Sequence, residues 1–286
     1  MAEFGMSSQN NEARIVREIL ERCGEAAEIE HVCCDVGAMD ASRYSNVYDL
    51  WHNRGWSAVL IERREGPWAK IVKDTEGFPV TAINATVTPN GESGLDNLFR
   101  KYSFDPNVGV LSIDIDSFDY YVFKNLSYVR PQIVIIEFNH LIDPGFEYYD
   151  PEDQVYLRHS LTGLLNLAEQ KGFRPYAVTE CNCILVSNAI AQYLGRLDSR
   201  IEITRSWREA FLTFLGIALG PDNLYPVFIK PRPRLYRAVI RSVFWAACKL
   251  LNWQLVRKMR GMPAKKRFNK PSLSMQMHFE KFGIYV

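Results

Sequence analysis

Acidic residues are missing from one long stretch of this 286-residue chain: residues 223–279 hold 13 Lys or Arg and no Asp or Glu. The formal net charge of +1 hides this division. Residues 1–222 carry 32 acidic against 20 basic side chains. The asymmetry excludes a uniformly neutral surface and points the basic end toward an anionic partner. Other absences narrow the class further. Six cysteines (Cys23, Cys33, Cys34, Cys181, Cys183, Cys248) form no C-x-x-C pair and no Cys/His spacing of a zinc site. Four of them lie in apolar runs, which predicts buried free thiols and a reducing, cytoplasmic setting. The N-terminus has no basic-then-apolar leader. No window reaches 18 uninterrupted apolar residues; in Val239–Val256, Arg241 and Lys249 intervene, so a spanning helix is not expected. Hydrophobic residues at 47% and charged residues at 23% exclude a wholly disordered chain.

What remains is an alternation of short apolar runs with helical patterns. Ile15, Val16, Ile19 and Leu20 recur at helical spacing in Glu12–Cys23. Strands are expected at His31–Val36, Ser57–Glu62, Val80–Ala85, Val108–Asp114 and Gln132–Phe138, with a closing pair at Arg174–Thr179 and Cys183–Ser187. Helices are expected at Ser45–Arg54, Leu95–Tyr102, Tyr120–Leu126 and Ser160–Lys171, two of them closed by Gly55 and Gly172. Nearly continuous apolar strands alternating with helices predict a doubly wound, mostly parallel α/β sheet covered on both faces. The expected divisions are an N-terminal tail and helix (1–24), an α/β domain (25–200) and a helical, basic extension (201–286).

Such sheets bind ligands outside the carboxyl ends of their strands. Asp35, Gly37, Glu62, Asn84, Asp114, Asp116, Glu137 and Asn139 fall there. Helix N-capping is the competing reading for each, because Asp and Asn cap well. After the first strand, Asp35-Val36-Gly37-Ala38-Met39-Asp40 contains one glycine, not the G-x-G-x-x-G that cradles a pyrophosphate. A cofactor without a diphosphate suits that turn, and Glu62 is placed to accept hydrogen bonds from a ribose diol. Together these features point to S-adenosylmethionine, with Asp35, Gly37, Ala38, Glu62, Asn84 and Asp114 as candidate cofactor contacts.

The segments Asp35-Val36-Gly37-Ala38, Ser45-Asn46 and Gly55–Glu62, then Leu111–Tyr120 with its Asp114-Ile115-Asp116, then Ile133–Asn139 and Ser160–Phe173, resemble the FkbM-type methyltransferases. The resemblance covers roughly residues 30–190. It departs at Met39, where the family usually has a polar residue, and at Ser117-Phe118, which replace a usual Gly-Asn. It implies a seven-stranded class I methyltransferase sheet, S-adenosylmethionine as cofactor, and transfer to a hydroxyl of a glycan, glycolipid or related small molecule.

Asp114 and Asp116 lie two apart on an expected strand, about 7 Å along it, with Glu137 and Asn139 in the same relation on the next. Such oxygen donors suit a hard cation such as Mg²⁺, for which Asp114, Glu137 and Asn139 are the candidate ligands. The metal-free alternative uses Asp116, His140 or His159 as general base toward the hydroxyl. A solvated acidic loop, and a surface or capping role for His159, are the plain structural readings. Beyond Lys230-Pro231-Arg232-Pro233-Arg234, a helix over Leu235–Arg257 would gather Arg237, Arg241 and Lys249 on one side and Val239, Val243, Leu250 and Trp253 on the other. That pattern suits an anionic membrane surface at the inner face, or packing on the body or a twin subunit; nucleic acid ranks last. A non-catalytic module with the same fold, docking to a membrane or a glycan-assembly complex, is the alternative function, and a nicotinamide oxidoreductase is disfavoured by the single-glycine turn.

Overall fold

The computed structural model describes residues 8, 11–139, 147–155, 158–179, 181–194, 199–201 and 284–285. The chain divides into two compact units, 1–204 with 271–286, and 205–270. The predicted basic helix, Cys248 and His140 lie outside the described residues. Among the described residues no helix is long and apolar enough to cross a membrane.

The first unit is built on one sheet. Its strands are β1 (Val32–Val36), β2 (Ser57–Glu62), β3 (Val80–Asn84), β4 (Asn107–Ile113), β5 (Arg130–Glu137), β6 (Phe173–Val178), β7 (Asn182–Ser187), β8 (Ser199–Ile201) and β9 (Ile284–Tyr285). Their spatial order is β3-β2-β1-β4-β5-β7-β6-β8-β9. β1 to β5 run parallel to one another; β7 is antiparallel to both β5 and β6. The sheet is thus mixed, and β8 and β9 extend the expected seven strands to nine.

Alternation along the strands sends side chains into two apolar layers. Cys34, Val36, Ile61, Leu111, Ile113, Val134 and Ile136 pack on one face. There they meet α4 (Leu95–Lys101), α5 (Asp119–Asn125) and α6 (Leu161–Gln170) through Phe99, Phe123 and Leu164. Cys33, Ala58, Leu60, Val110, Ile133 and Ile135 line the other face, against α1 (Glu12–Cys23), α2 (Tyr48–Arg54) and α7 (Asn188–Ala191). Trp51, Phe99 and Phe123 are among the largest fully buried side chains, and burial of each contributes roughly 1.5–3 kcal/mol or more. Helix α1 is fixed to the β6–β7 turn, beside the carboxyl end of β5, by Glu12, fully buried, whose Oε1 accepts from Thr179 Oγ1 (2.7 Å) and Asn182 Nδ2 (3.0 Å). Cys33, Cys34, Cys181 and Cys183 are buried thiols outside any disulfide, as their apolar runs predict, and Cys23 is buried likewise.

The sequence pattern misses α3 (Glu65–Asp74), in which Ile71 alone is buried. Pro67 sits in its first turn, where the missing N–H has no intrahelical partner to lose, so the proline does not break the helix.

Candidate functional site

The polar residues expected at strand ends do meet at one edge. Parallel pairing sets Val36 beside both Ile61 and Ile113, and Glu62 beside Asn84, so β1, β2, β3 and β4 finish together. Capping does not account for them. Helices α2, α3, α4 and α5 begin after Val47, Arg64, Gly94 and Phe118, none of which makes a side-chain cap bond. The side-chain caps belong to Ser160 and Ser187, on α6 and α7.

A cavity of about 340 Å³ opens at this edge. Its walls are Asp35, Gly37–Met39, Arg43, Tyr44, Asn46, Ile61–Arg64, Ala85–Val87, Ser112 and Asp114–Ser117. At its floor the chain leaving β1 turns sharply. The N–H groups of Gly37 and Ala38 both donate to the Ile61 carbonyl, at 2.9 and 3.0 Å, and Asp114 N–H donates to the Val36 carbonyl at 2.9 Å. Gly37 has φ +95°, and a β-carbon on it would stand 1.8 Å from the Asp114 carbonyl oxygen. Only glycine fits there.

Asp35 lies beneath this turn, 4% exposed, with Oδ2 accepting from Ser45 Oγ at 2.9 Å. Burial raises its carboxyl to about 6, the nearby Asp114 charge adding to the effect, while hydrogen bonds from Ser45 and Ser112 oppose it. Asn46 Nδ2 donates to Ser112 Oγ at 3.1 Å, linking the loop before α2 to β4. Ser45 and Asn46 therefore belong to the floor of the site, a role their sequence alone does not assign.

Glu62 is also 4% exposed. One oxygen accepts from the Met39 N–H at 2.9 Å; the other accepts from Arg64 N–H at 2.8 Å and Arg64 Nε at 3.1 Å. A carboxylate offers about four acceptor positions. Three are in use here, so a diol donating two hydrogen bonds fits once the exposed Arg64 guanidinium releases its own. Asn84 has a different task. Its Nδ2 donates to the carbonyls of Glu62 (2.9 Å) and Arg63 (3.1 Å), closing the turn after β2. The cavity wall on that side is Ala85, Thr86 and Val87.

The carboxylates converge more tightly than strand spacing predicts. Oxygens of Asp114, Asp116 and Glu137 all lie within 4.8 Å of one another. The reason is that β4 stops at Ile113, so Asp114 and Asp116 are not side by side on a strand. Buried Asp119 accepts from the N–H groups of Ile115 (2.8 Å) and Ser117 (3.0 Å), which tightens the loop and leaves Asp116 left-handed at φ 58°. Burial raises Asp119 to about 6. Burial, followed by repulsion between neighbours, also raises Asp114 and Glu137, with Arg158 pulling the other way.

Arg158 is the member of this corner that its local sequence does not announce. Its Nη1 is ion-paired with Glu137 and, at 3.1 Å, with Asp116 Oδ1. Arg158 thus pairs with two of the three carboxylates whose oxygens lie close enough together to hold a metal ion. Asn139, the third expected metal ligand, follows β5, and its N–H donates to the His159 carbonyl at 2.9 Å. His159 is fully buried, its ring 5.7 Å from that of Tyr120, and among the described residues neither ring nitrogen makes a well-aligned hydrogen bond. Burial and the Arg158 charge hold it down at about 3, against a smaller pull from the Glu137 backbone. Neutral, and not among the residues lining the cavity, His159 is a core side chain here rather than a solvent-facing base.

No family model and no curated protein matches the chain. Among solved structures, it is similar to a crystal structure of a SAM dependent methyltransferase from Aquifex aeolicus. That match has 15% identity and a TM-score of 0.35, and covers 61% of this chain and 89% of the other.

Proposed function

We propose that the chain is an S-adenosylmethionine-dependent methyltransferase that transfers a methyl group to a hydroxyl, with a glycan or glycolipid as acceptor class. One observation carries the reading: the Gly37 turn, closed against the Asp114 carbonyl, opens with buried Glu62 on the same 340 Å³ cavity. A β-carbon-free turn gives a ligand close access to backbone, and the carboxylate at the next strand end suits a ribose. The acceptor class rests on the resemblance of the sequence segments between residues 30 and 190.

S-adenosylmethionine, when bound, supplies the electrophilic methyl group. The chain's contribution is then orientation and proton acceptance. Gly37, Ala38 and Glu62 would hold the nucleoside end, while Asp114 and Asp116, which line the same cavity, would face the acceptor. Asp116, 85% exposed, is the carboxylate we assign to receive the hydroxyl proton, a contribution of typically ~10²–10⁴ in rate. Alignment of hydroxyl and methyl supplies most of the rest. The basic segment 223–279 is proposed to hold the enzyme at an anionic lipid surface, and salt-sensitive sedimentation with anionic liposomes tests that part alone.

The activity is tested by incubating the full chain with methyl-labelled cofactor and a panel of sugar, glycolipid and phenol acceptors. Label transfer to a hydroxyl supports the reading. Absence of S-adenosylmethionine binding in a calorimetric titration favours the binding module instead.

A further inference from the structure

Three carboxylates this close together are eased by protonation or by a cation, and the fold supplies a cation of its own. Arg158 reaches Glu137 and Asp116 through the same nitrogen, Nη1, although these partners stand 21 and 42 positions away in sequence. Its side chain is 18% exposed and that of Glu137 14%, whereas Asp116 is open to solvent at 85%. The guanidinium thus runs from the interior of the corner to the rim of the cavity.

Its backbone is fixed as firmly as its head group. Arg158 is left-handed at φ 65°, as is its partner Asp116 at φ 58°. Non-glycine residues seldom adopt this conformation, and two joined by one ion pair mark a geometry that the surroundings impose. Asp150, 3% exposed, does this for Arg158: Oδ2 accepts the Arg158 N–H at 2.6 Å, and the Asp150 N–H donates to the Arg158 carbonyl at 2.8 Å. Asp119 does the same for the loop that carries Asp116.

We propose that Arg158 is the resident cation of the Asp114–Asp116–Glu137 corner and occupies the place in which a divalent ion would be held. It is a positioning residue: it acts through Glu137 and Asp116, while Asp114 is among the residues that line the cavity. The role builds on the methyl-transfer reading, because it explains how the carboxylates beside the acceptor are held without an ion between them. A guanidinium is suited to this, being always charged and matched in shape to carboxylates.

Manganese binding, followed by electron paramagnetic resonance on the full chain, tests the proposal without requiring turnover. Wild type is expected to show no Mn²⁺ site that E137Q abolishes. R158A and R158Q are expected to gain one such site per chain, at least tenfold tighter than any binding by wild type, and to lose it when E137Q is added. R158K, which keeps a cation, is expected to resemble wild type. R158Q provides a second neutral variant if R158A does not fold. An E137-dependent Mn²⁺ site in wild type overturns the proposal, as does the absence of any gain in the neutral variants. Titration of wild type with S-adenosylmethionine is a separate measurement: its failure counts against the methyl-transfer reading and leaves the Mn²⁺ result to judge Arg158 alone.

Discussion

Gly37 and Asp114 lie so close that a β-carbon on the glycine would stand 1.8 Å from the aspartate's carbonyl oxygen. Backbone meets backbone at this point, so no side chain can move aside to make room. The same contact brings the end of β1 to the end of β4 and forms the floor of the cavity.

G37A is therefore expected to damage the site more than the fold. At φ +95° the alanine is strained in addition to its clash, a cost on the order of 1–3 kcal/mol or more. Cofactor affinity should fall by at least about a hundredfold, equivalent to about 2.7 kcal/mol. Calorimetry on a variant shown folded by circular dichroism checks this; unchanged affinity would contradict it.

Glu62 and Arg64 should respond in opposite ways. E62Q loses the charge that accepts three internal hydrogen bonds and would accept the ribose, and a charged hydrogen bond contributes about 1.5–3 kcal/mol. Cofactor binding is expected to weaken about 10–100-fold. R64A removes only the competing Nε donor, so affinity should hold or rise. Weaker binding by R64A would show that the guanidinium touches the ligand instead of yielding to it.

Burial gives Asp35 a measurable pH signature. Its carboxyl is raised from 3.8 to about 6, so the folded protein disfavours the charged form. The sign follows: wild type loses stability as pH rises from about 4 through 6, and the full penalty is present above that range. D35N removes it. A carboxyl held that far above its ordinary value costs the folded state about 3 kcal/mol once ionisation is complete in the unfolded chain. The stability of D35N relative to wild type should therefore rise by up to that amount between about pH 4 and pH 8. Denaturant midpoints at the two pH values measure it; a difference independent of pH would contradict the assignment.

Asp119 holds the acidic loop. D119A leaves the N–H groups of Ile115 and Ser117 without their acceptor, a loss of about 1–3 kcal/mol for each group that stays buried. Asp116 then loses the loop bonds that hold it left-handed and keeps only its pair with Arg158, and methyl transfer should fall more than cofactor affinity. Hydrogen exchange at residues 115–117 reads the loop directly: protection unchanged in D119A would refute this role.

Much of the sheet is legible in the sequence because its strands are near-continuous apolar runs. β2 is met end to end, and β1, β3, β4 and β5 to within two residues at either end. The short strands β8 and β9, of three and two residues, carry no such signal. Helix α3 hides because it buries only Ile71 and has Gly66-Pro67 in its first turn. Among site residues, the turn at Gly37 and the acids at strand ends can be found from pattern alone. The uses of those acids cannot. Glu62 clamps its own neighbours, Asn84 closes a turn, and the Asp114–Asp116 pair is drawn together by Asp119. Arg158 is invisible because its partners are distant in the chain, and His159 is a candidate by residue type yet lies in the core.

The central claim is that the cavity above Gly37 takes S-adenosylmethionine, and calorimetric titration of the full chain tests it most directly. The account predicts one equivalent bound in the micromolar range, lost in G37A and weakened in E62Q. No binding by wild type, or binding that both variants leave untouched, would contradict it.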